Sequence, residues 1–278
     1  MILETNHQYH ANAAISHSKL EVFRRRPQLY YRRYITKTID VEPPTAALRL
    51  GSAVHCSVLE PLEMPRRFAV RPDGIDRRTK EGKERFAAFE QAHAGKEILD
   101  TDEAAQVIAM TDAVRQNDLA AQLLAHGQPE VSWRTGESLT LQCRTDWFNP
   151  DGCALTDGRP YIVDLKTTES LSGEDFGSFE KVVFKWGYHR QAGFYLPLVT
   201  ELLGRPVFDF FFVAVEKVEP FGVAVYRMTD AACALGQDET LDDLRRLKRC
   251  IDSNEWPNID ATVRELGVPA WYGKGGAA

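Results

Sequence analysis

Two segments in which apolar and polar side chains alternate constrain this chain most strongly. Residues 139–148 and residues 161–168 both alternate, and this period of two is typical of β-strands. Between them stands Asn-Pro-Asp-Gly at positions 149–152, which is a strong turn signal. The two segments are therefore predicted to pair as neighbouring strands of one sheet.

Charged side chains gather on this predicted pair of strands. Asp146 stands near the end of the first segment, and Asp164 and Lys166 share one face of the second, about 7 Å apart along the strand. A carboxylate and an ammonium group are costly to bury on an otherwise apolar strand unless they have a task. Taken alone, Asp164 and Lys166 are most simply interpreted as an ion pair on an edge strand.

Asp146 makes a second interpretation available. If the two strands pair, Asp146 can lie beside Asp164, with Lys166 next to both. Two carboxylates that converge at a strand end suit Mg²⁺ or Mn²⁺, which bind well to oxygen ligands. A neighbouring lysine can orient a water molecule or help to deprotonate it. Together these groups can serve the hydrolysis of a phosphodiester.

The same residues resemble the core of a nuclease superfamily. Asp146 followed by Asp164-Leu165-Lys166 resembles the PD-(D/E)xK pattern, which allows an aspartate at the position of Asp164. More narrowly, the chain resembles the nuclease domain of RecE-type exonucleases (exodeoxyribonuclease VIII), relatives of the RecB nuclease domain, from about residue 10 to about residue 260. Further matches are Ile-Ser-His-Ser-Lys-Leu at 15–20, Gly-Ser-Ala-Val-His at 51–55, Leu-Glu-Pro at 59–61, Glu130, and the Q-x-x-x-Y pattern from Gln191 to Tyr195.

The resemblance implies a metal site with supporting residues around it. Asp146 and Asp164 would bind the metal, and the backbone carbonyl of Leu165 and the imidazole of His55 would complete its coordination. Lys166 would orient the attacking water and stabilise the developing negative charge. Mg²⁺ is the implied cofactor, with Mn²⁺ as a substitute. The implied supporting residues are Glu130, Gln191 and Tyr195, of which the last is expected to support Lys166.

Two of these residues also have simpler interpretations. His55 lies in a predicted helix over residues 46–59, one residue from an apolar stripe that includes Leu50 and Val54, so it could be a packing residue at the edge of the core. Glu130 could be an exposed glutamate at the start of a strand. Both alternatives remain open at the level of the sequence.

The predicted fold class is α/β (α+β), with a PD-(D/E)xK restriction-endonuclease-like core in which helices flank a mixed central sheet. We expect a single nuclease domain over residues 1–278, with a helical N-terminal part to about 125, the core over about 128–256 and a flexible tail at 272–278. Helices are predicted from a capping box at Ser18 to a break at Pro27, at 46–59, 101–126 and 188–203, and from an Asp230 cap onward. Strands are predicted at 130–135, 138–148, 161–168, 207–215 and 221–228. Mobile or loop segments are predicted at 64–100 and 167–178.

The composition excludes some classes of protein and leaves others open. The net charge of −6 is awkward for a nucleic-acid binder, but arginines and lysines crowd residues 24–37 and 66–85. These stretches could follow a phosphate backbone or could be solvated helix faces. Five scattered cysteines indicate no disulfide framework, zinc site or iron–sulfur cluster. The chain begins without an apolar signal region and its longest apolar run is short, so a soluble cytoplasmic protein is predicted.

By resemblance, the expected activity is Mg²⁺-dependent exonucleolytic digestion of double-stranded DNA ends. Digestion in the 5′-to-3′ direction would leave a 3′ single-stranded tail for a RecT-like annealing protein, as in phage or prophage recombination. The resemblance also implies a ring-shaped homo-oligomer, a tetramer. The alternatives are an endonuclease or single-strand-specific nuclease of the same superfamily, and a non-catalytic DNA-binding or protein-interaction module. The intact Asp-x-Lys pair with its upstream aspartate argues against the last.

Overall fold

A five-stranded mixed sheet forms the centre of the protein in a computed structural model that describes residues 1–2, 4–42, 45–74, 78–136, 139–171, 179–258, 263 and 265–268. A separate parallel pair joins the two shortest strands. The strands are β1 (Phe68–Val70), β2 (Glu97–Leu99), β3 (Gln128–Arg134), β4 (Gln142–Asn149), β5 (Tyr161–Thr168), β6 (Asp209–Glu216) and β7 (Val223–Arg227).

The central sheet has the order β3-β4-β5-β6-β7, and only the β5–β6 pair is parallel. Strands β5 and β6 pair along their whole length, from Tyr161 to Thr168 on β5. Strands β4 and β5 pair over three residues only and part beyond Val163. The gap between β4 and β5 leaves room for side chains from both strands, and it is where the charged residues lie.

Helices cover both faces of the sheet. They are α1 (Asn6–Ala11), α2 (His17–Arg25), α3 (Pro27–Tyr30), α4 (Ala46–Leu59), α5 (Met64–Arg67), α6 (Lys80–Ala92), α7 (Thr101–Gln116), α8 (Asp118–Leu123), α9 (Phe179–Trp186), α10 (Tyr188–Leu203) and α11 (Asp230–Ser253). A π-helical turn spans Tyr31–Ile35, and short 3₁₀ helices span Pro61–Glu63 and Ala154–Thr156. No helix among the described residues is long and apolar enough to cross a membrane.

Two apolar cores result from the alternation of the central strands. Ile162, Phe210 and Phe212 point to the face covered by α2, α10 and α11. Val163 and Val213 point to the opposite face, which α4, α7 and α8 cover. Truncating a fully buried phenylalanine of this kind to alanine costs about 3–5 kcal/mol of stability. The two cores fix the sheet and the helices α4 and α10, which carry the candidate site.

A close crossing of two helices holds α10 in place. Gly193 of α10 faces Gly236 of α11, and a β-carbon on either residue would collide with the backbone of the other helix. Because both residues are glycines, the two helices approach each other more closely than larger residues would allow. This crossing fixes the distance between the sheet and Gln191, which stands two residues before Gly193 on α10.

Three predicted elements match the structure residue for residue: the helix over 46–59, the strand over 161–168 and the helix over 188–203. Their boundaries are marked by strong local signals. The Thr45 hydroxyl accepts a hydrogen bond from Leu48 N at the start of α4, and glycines in the left-handed region, at Gly187 and Gly204, bound α10.

Other boundaries were predicted wrongly. Helix α2 begins at His17 because Ser16, not Ser18, accepts the capping hydrogen bond from Lys19 N. The helix predicted over 101–126 is two helices, because the Asn117 side chain caps α8 through Ala120 N. Asp100 rather than Thr101 caps α7, and Thr229 rather than Asp230 caps α11.

The segment 64–100 is also more regular than predicted. It contains α5, β1, α6 and β2, and β1 and β2 pair in parallel from Phe68↔Glu97 onward. Strand β4 starts at Gln142, later than the predicted 138. The predicted turn at 136–137, the predicted loop at 167–178 and the tail at 272–278 fall wholly or partly outside the described residues, and Thr167 and Thr168 of that loop belong to β5.

Candidate active site

The gap between β4 and β5 is bridged by a carboxylate. Asp146 Oδ2 accepts a hydrogen bond of 2.9 Å from the backbone N–H of Leu165. The bond connects the two strands at the point where their regular ladder has already ended. Asp146 and the Asp164-Leu165-Lys166 segment are therefore brought together, as the sequence predicts.

His55 and Glu130 join Asp146 from two other elements. His55, on α4, places its Nδ1 3.3 Å from Asp146 Oδ2. One ligand atom from each of His55, Glu130 and Asp146 lies within 4.8 Å of the other two. A cluster of two carboxylates and one imidazole is a donor set that suits a divalent cation such as Mn²⁺.

Glu130 adopts an unusual backbone conformation. Its φ of 53° lies in the left-handed region, although it stands within strand β3. The β3–β4 pairing includes Pro129↔Trp147 and Val131↔Thr145 but skips Glu130 and Asp146. A left-handed non-glycine residue costs roughly 1–3 kcal/mol, and such strain concentrates at functional sites. The interruption falls on the two residues whose carboxylates approach each other.

Arg144 holds the carboxylate of Glu130. Its Nε donates a 2.5 Å hydrogen bond to Glu130 Oε2, and its Nη1 donates to the carbonyl oxygen of Glu4 at 3.0 Å. The Glu130 side chain is mostly buried, so an exposed strand-start glutamate is the wrong interpretation of this residue. The sequence patterns did not single out Arg144, although it stands two residues before Asp146.

Asp164 and Lys166 form a buried pair with Gln191. The Asp164 carboxylate contacts Lys166 Nζ through Oδ2 and accepts a hydrogen bond from Gln191 Nε2 through Oδ1. Gln191 Oε1 accepts from Lys166 Nζ at 3.2 Å. Asp164 is only 2% exposed, so the simple edge-strand ion pair does not describe it. Asp164 is not a member of the group of His55, Glu130 and Asp146, whose ligand atoms lie within 4.8 Å of one another; its Oδ2 faces Lys166.

The aromatic support of Lys166 comes from a residue that sequence reasoning missed. Lys166 Nζ lies 4.6 Å from the ring centre of Tyr188 and 5.8 Å from that of Phe212. Among the described residues, no hydrogen bond joins Tyr195 to Lys166. Tyr195 lines the same cavity and packs on Phe210 at 6.2 Å between ring centres. The Q-x-x-x-Y pattern therefore brings Gln191 to the charged pair, whereas Tyr195 forms part of the surrounding wall.

The charges of the site repel one another. Burial raises the pKa of Asp146 well above its usual range, and the neighbouring carboxylates of Asp164 and Glu130 raise it further. Burial lowers the pKa of His55, which keeps a neutral imidazole with a free lone pair. Burial also lowers the pKa of Lys166, but Asp164 and Asp146 outweigh this effect and raise it, so Lys166 is an ammonium ion at neutral pH. A divalent cation between the carboxylates would relieve the repulsion, and the residues present fit one.

A cavity of about 920 Å³ opens onto these groups. Ser16, His17 and Ser18, from the motif at 15–20, line it on one side, and helix α4 lines it on another. Gly51 of α4 lies against Thr167 of β5, where a β-carbon would meet the threonine hydroxyl oxygen at an ordinary distance of 3.4 Å. Helix α4 thus packs beside β5 and carries His55 to the site.

The predicted basic stretches contribute little to this cavity. Among the arginines of 24–37, Arg24 is bound to Glu239 and Asp243, at 3.2 Å and 3.0 Å. Arg67 is the member of the second stretch that lines the cavity, and it pairs with Glu60 at 3.3 Å. Lysines from α9, which the sequence patterns did not single out, provide further positive charge at the opening: Lys181 and Lys185.

Comparisons with known proteins agree with this geometry. The family model described as "PDDEXK-like domain of unknown function (DUF3799)" matches residues 16–261. The crystal structure of a "Putative exonuclease" from Eubacterium rectale matches with a TM-score of 0.64 at 16% sequence identity, covering 100% of both chains. At that identity the likeness shows the fold alone. No curated protein matches the chain. The predicted fold class, a PD-(D/E)xK core with a mixed sheet and flanking helices, is confirmed.

Proposed function

This chain belongs to the family of PDDEXK-like domains of unknown function, and we propose that it is a Mg²⁺-dependent exonuclease acting on the ends of double-stranded DNA. The observation that carries the proposal is the convergence of four elements on one point. His55, Glu130 and Asp146 offer ligand atoms within 4.8 Å of one another, directly beside the buried pair of Asp164 and Lys166.

In this proposal the carboxylates and the imidazole hold the metal. His55, Glu130 and Asp146 would hold it, with Asp164 beside them as a further carboxylate ligand. The Leu165 carbonyl is the remaining proposed ligand, because Leu165 lines the same cavity and its N–H donates to Asp146 Oδ2. When bound, Mg²⁺ or Mn²⁺ would polarise the phosphodiester and lower the pKa of the attacking water.

Lys166 would act as a charged group and not as a base. In the metal-free protein Asp164 and Asp146 raise its pKa, so the side chain carries a proton at neutral pH. The ammonium ion can orient the attacking water and stabilise negative charge that develops on the phosphate oxygens. Gln191 fixes both Lys166 and Asp164, so it is a positioning residue for the pair. Tyr195 would keep the wall of the cavity in place.

The resemblance to RecE-type exonucleases supports the finer parts of the proposal. Digestion would run 5′ to 3′ and leave 3′ single-stranded tails for recombination by strand annealing, with a RecT-like annealing protein as partner. The chain would act as a single nuclease domain in a ring-shaped tetramer. Light scattering at micromolar concentration tests the ring; a monomer alone would reject it.

The experiment that tests the activity compares linear and circular DNA. Purified protein with Mg²⁺ should release nucleotides from a linear duplex and leave a covalently closed circle of the same sequence intact. Duplexes labelled at the 5′ or the 3′ end report the direction, because a 5′-to-3′ enzyme releases the 5′ label first. Nicking of the circle would assign an endonuclease instead, degradation of single strands alone would assign a single-strand-specific enzyme, and metal-dependent binding without release would assign a non-catalytic module.

A further inference from the structure

Helix α9, at the opening of the active-site cavity, presents an exposed aromatic and basic surface that the proposed chemistry does not use. Phe179 and Val183 anchor the helix in the core. The other side of α9 is exposed and carries Lys181, Phe184, Lys185 and Trp186. Trp186 is 49% exposed and Phe184 is 50% exposed. Phe184 packs on His189, at 4.8 Å between ring centres, so Trp186 is the exposed ring of α9 that lines the cavity.

The exposed face is continuous with the candidate active site. Lys181 and Lys185 line the cavity, and so does Trp186. Trp186 stands two residues before Tyr188, whose ring lies 4.6 Å from Lys166 Nζ, so the α-carbons of Trp186 and Tyr188 are at most about 7 Å apart. Trp186 and Lys166 therefore line one cavity within a short distance of each other.

Positive charge surrounds the Trp186 ring. The guanidinium carbon of Arg25 lies 5.9 Å from the ring centre and Lys185 Nζ lies 5.5 Å from it. Neither Lys181 nor Lys185 has a carboxylate within 4 Å among the described residues. Arg25 has one distant partner, Glu21 at 3.8 Å, and its side chain is 55% exposed. Glu169, an acid that lines the same cavity, is paired with Lys217 at 2.8 Å.

We propose that Trp186, with Lys181 and Lys185, binds unpaired nucleotides of the DNA substrate next to the cleavage point. A base would stack on the exposed part of the Trp186 ring while the two lysines contact its phosphates. An aromatic ring flanked by cations is the combination that binds single strands without regard to sequence. A base pair within a duplex is already stacked on both faces, so the surface selects nucleotides that have left the helix. The inference rests on the proposed nuclease function.

The test measures DNA binding in a protein that does not cleave. In the Lys166→Ala background with Ca²⁺ present, the affinity for a short fluorescent oligothymidylate is followed by anisotropy. Trp186→Ala should weaken it about tenfold or more, whereas Trp186→Phe should weaken it less than about threefold because it keeps an aromatic face. The matched control is Phe208→Ala, which removes another exposed ring, 57% exposed, that does not line the cavity. It should leave the affinity unchanged.

Two further measurements distinguish a loss of DNA binding from a loss of folding. They also distinguish failure of this inference from failure of the proposed nuclease function. All variants should melt at the temperature of the background protein, and the oligothymidylate should quench tryptophan fluorescence in the background protein but much less in Trp186→Phe. An affinity of folded Trp186→Ala within about twofold of the background overturns the inference, while Mg²⁺-dependent digestion of linear duplex by the wild type would still stand. A wild type that neither digests nor binds DNA overturns both.

Discussion

Two clusters of charged groups meet neighbouring residues of helix α10, and they differ in how well their charges are compensated. Arg190 donates to both oxygens of Glu21, at 2.6 Å and 2.9 Å, and to Glu239 at 3.0 Å. Gln191, the next residue, reaches the cluster in which Asp146, Asp164 and Glu130 lie close together. One helix thus separates a structural ion network from a candidate active site.

The pKa shifts of the two clusters run in opposite directions. Burial alone would raise the pKa of Glu21 and Glu239, but the hydrogen bonds from Arg190 lower both below the ordinary value. In the second cluster, burial and neighbouring carboxylates raise the pKa of Asp146. The carboxylates of the Arg190 cluster are therefore compensated by arginine, whereas those of the Asp146 cluster lie where a metal cation is proposed. Uncompensated charge beside a strained Glu130 is typical of a functional site.

The largest expected effect is on catalysis and comes from Lys166. Lys166→Ala should slow the release of nucleotides from linear duplex DNA by at least about a hundredfold, because the charge that faces the reacting phosphate is lost. The fold and most of the metal affinity should remain. Lys248→Ala, which breaks only a surface pair with Asp252, is the control and should cleave normally. A Lys166→Ala rate within about tenfold of wild type would remove Lys166 from the mechanism.

His55→Ala should weaken Mn²⁺ binding and cut activity strongly. Losing a direct ligand should lower the metal affinity by more than the roughly 10–100-fold that follows from losing a residue that only supports a ligand. Some activity should return at high Mn²⁺ concentration, because the carboxylates still hold the ion. Calorimetric titration and melting curves distinguish this from a packing role. A folded His55→Ala protein with unchanged Mn²⁺ affinity would contradict the assignment.

The adjacent pair on α10 tests the comparison directly. Gln191→Ala should lower the rate of cleavage roughly 10–100-fold, because Asp164 and Lys166 lose the group that positions them. Arg190→Ala should instead lower the free energy of unfolding by about 2 kcal/mol, because Glu21 and Glu239 lose their hydrogen bonds from Arg190 and keep Arg25 and Arg24 as partners. Its remaining folded fraction should cleave at nearly the wild-type rate. If both variants changed the same property to the same extent, the two clusters would not be distinct.

Ca²⁺ should bind the site without supporting cleavage. Its larger radius and looser coordination suit carboxylates but position the attacking water poorly. At a free concentration about tenfold above its Kd, it should raise the free energy of unfolding by about 1.4 kcal/mol. Differential scanning calorimetry with Ca²⁺ or with a chelator measures this shift. Full activity in Ca²⁺ alone would mean that the site is not a tight cluster.

Local sequence signals explain which parts of this account could be predicted. Strand β5 shows a clear period of two, and α4 and α10 have caps or bounding glycines, so their limits follow from nearby residues. Asp146, Asp164 and Lys166 could be predicted to converge because a turn signal directly follows the first strand and the two strands pair.

The remaining features depend on residues distant in sequence. The left-handed backbone of Glu130 occurs where the pairing of β3 with β4 skips Glu130 and Asp146. No local sequence pattern in β3 predicts this conformation. The Tyr188 ring reaches Lys166 only because α10 crosses the sheet there. The sequence alone does not distinguish Arg24 from an arginine that binds DNA. The structure does, because α11 places Glu239 and Asp243 beside it. The parallel pairing of β1 with β2 likewise joins segments separated by a helix.

Calorimetric titration of Mn²⁺ into wild type, Asp146→Asn and Glu239→Gln tests the central claim most directly. Both substitutions remove one negative charge from beside α10, but only the first removes a proposed ligand. Asp146→Asn should lose more than about a hundredfold in Mn²⁺ affinity, and its metal-free form should melt no lower than wild type because a repelled carboxylate is gone. Glu239→Gln should bind Mn²⁺ as wild type does. Equal Mn²⁺ affinity in folded Asp146→Asn and wild type would contradict the account.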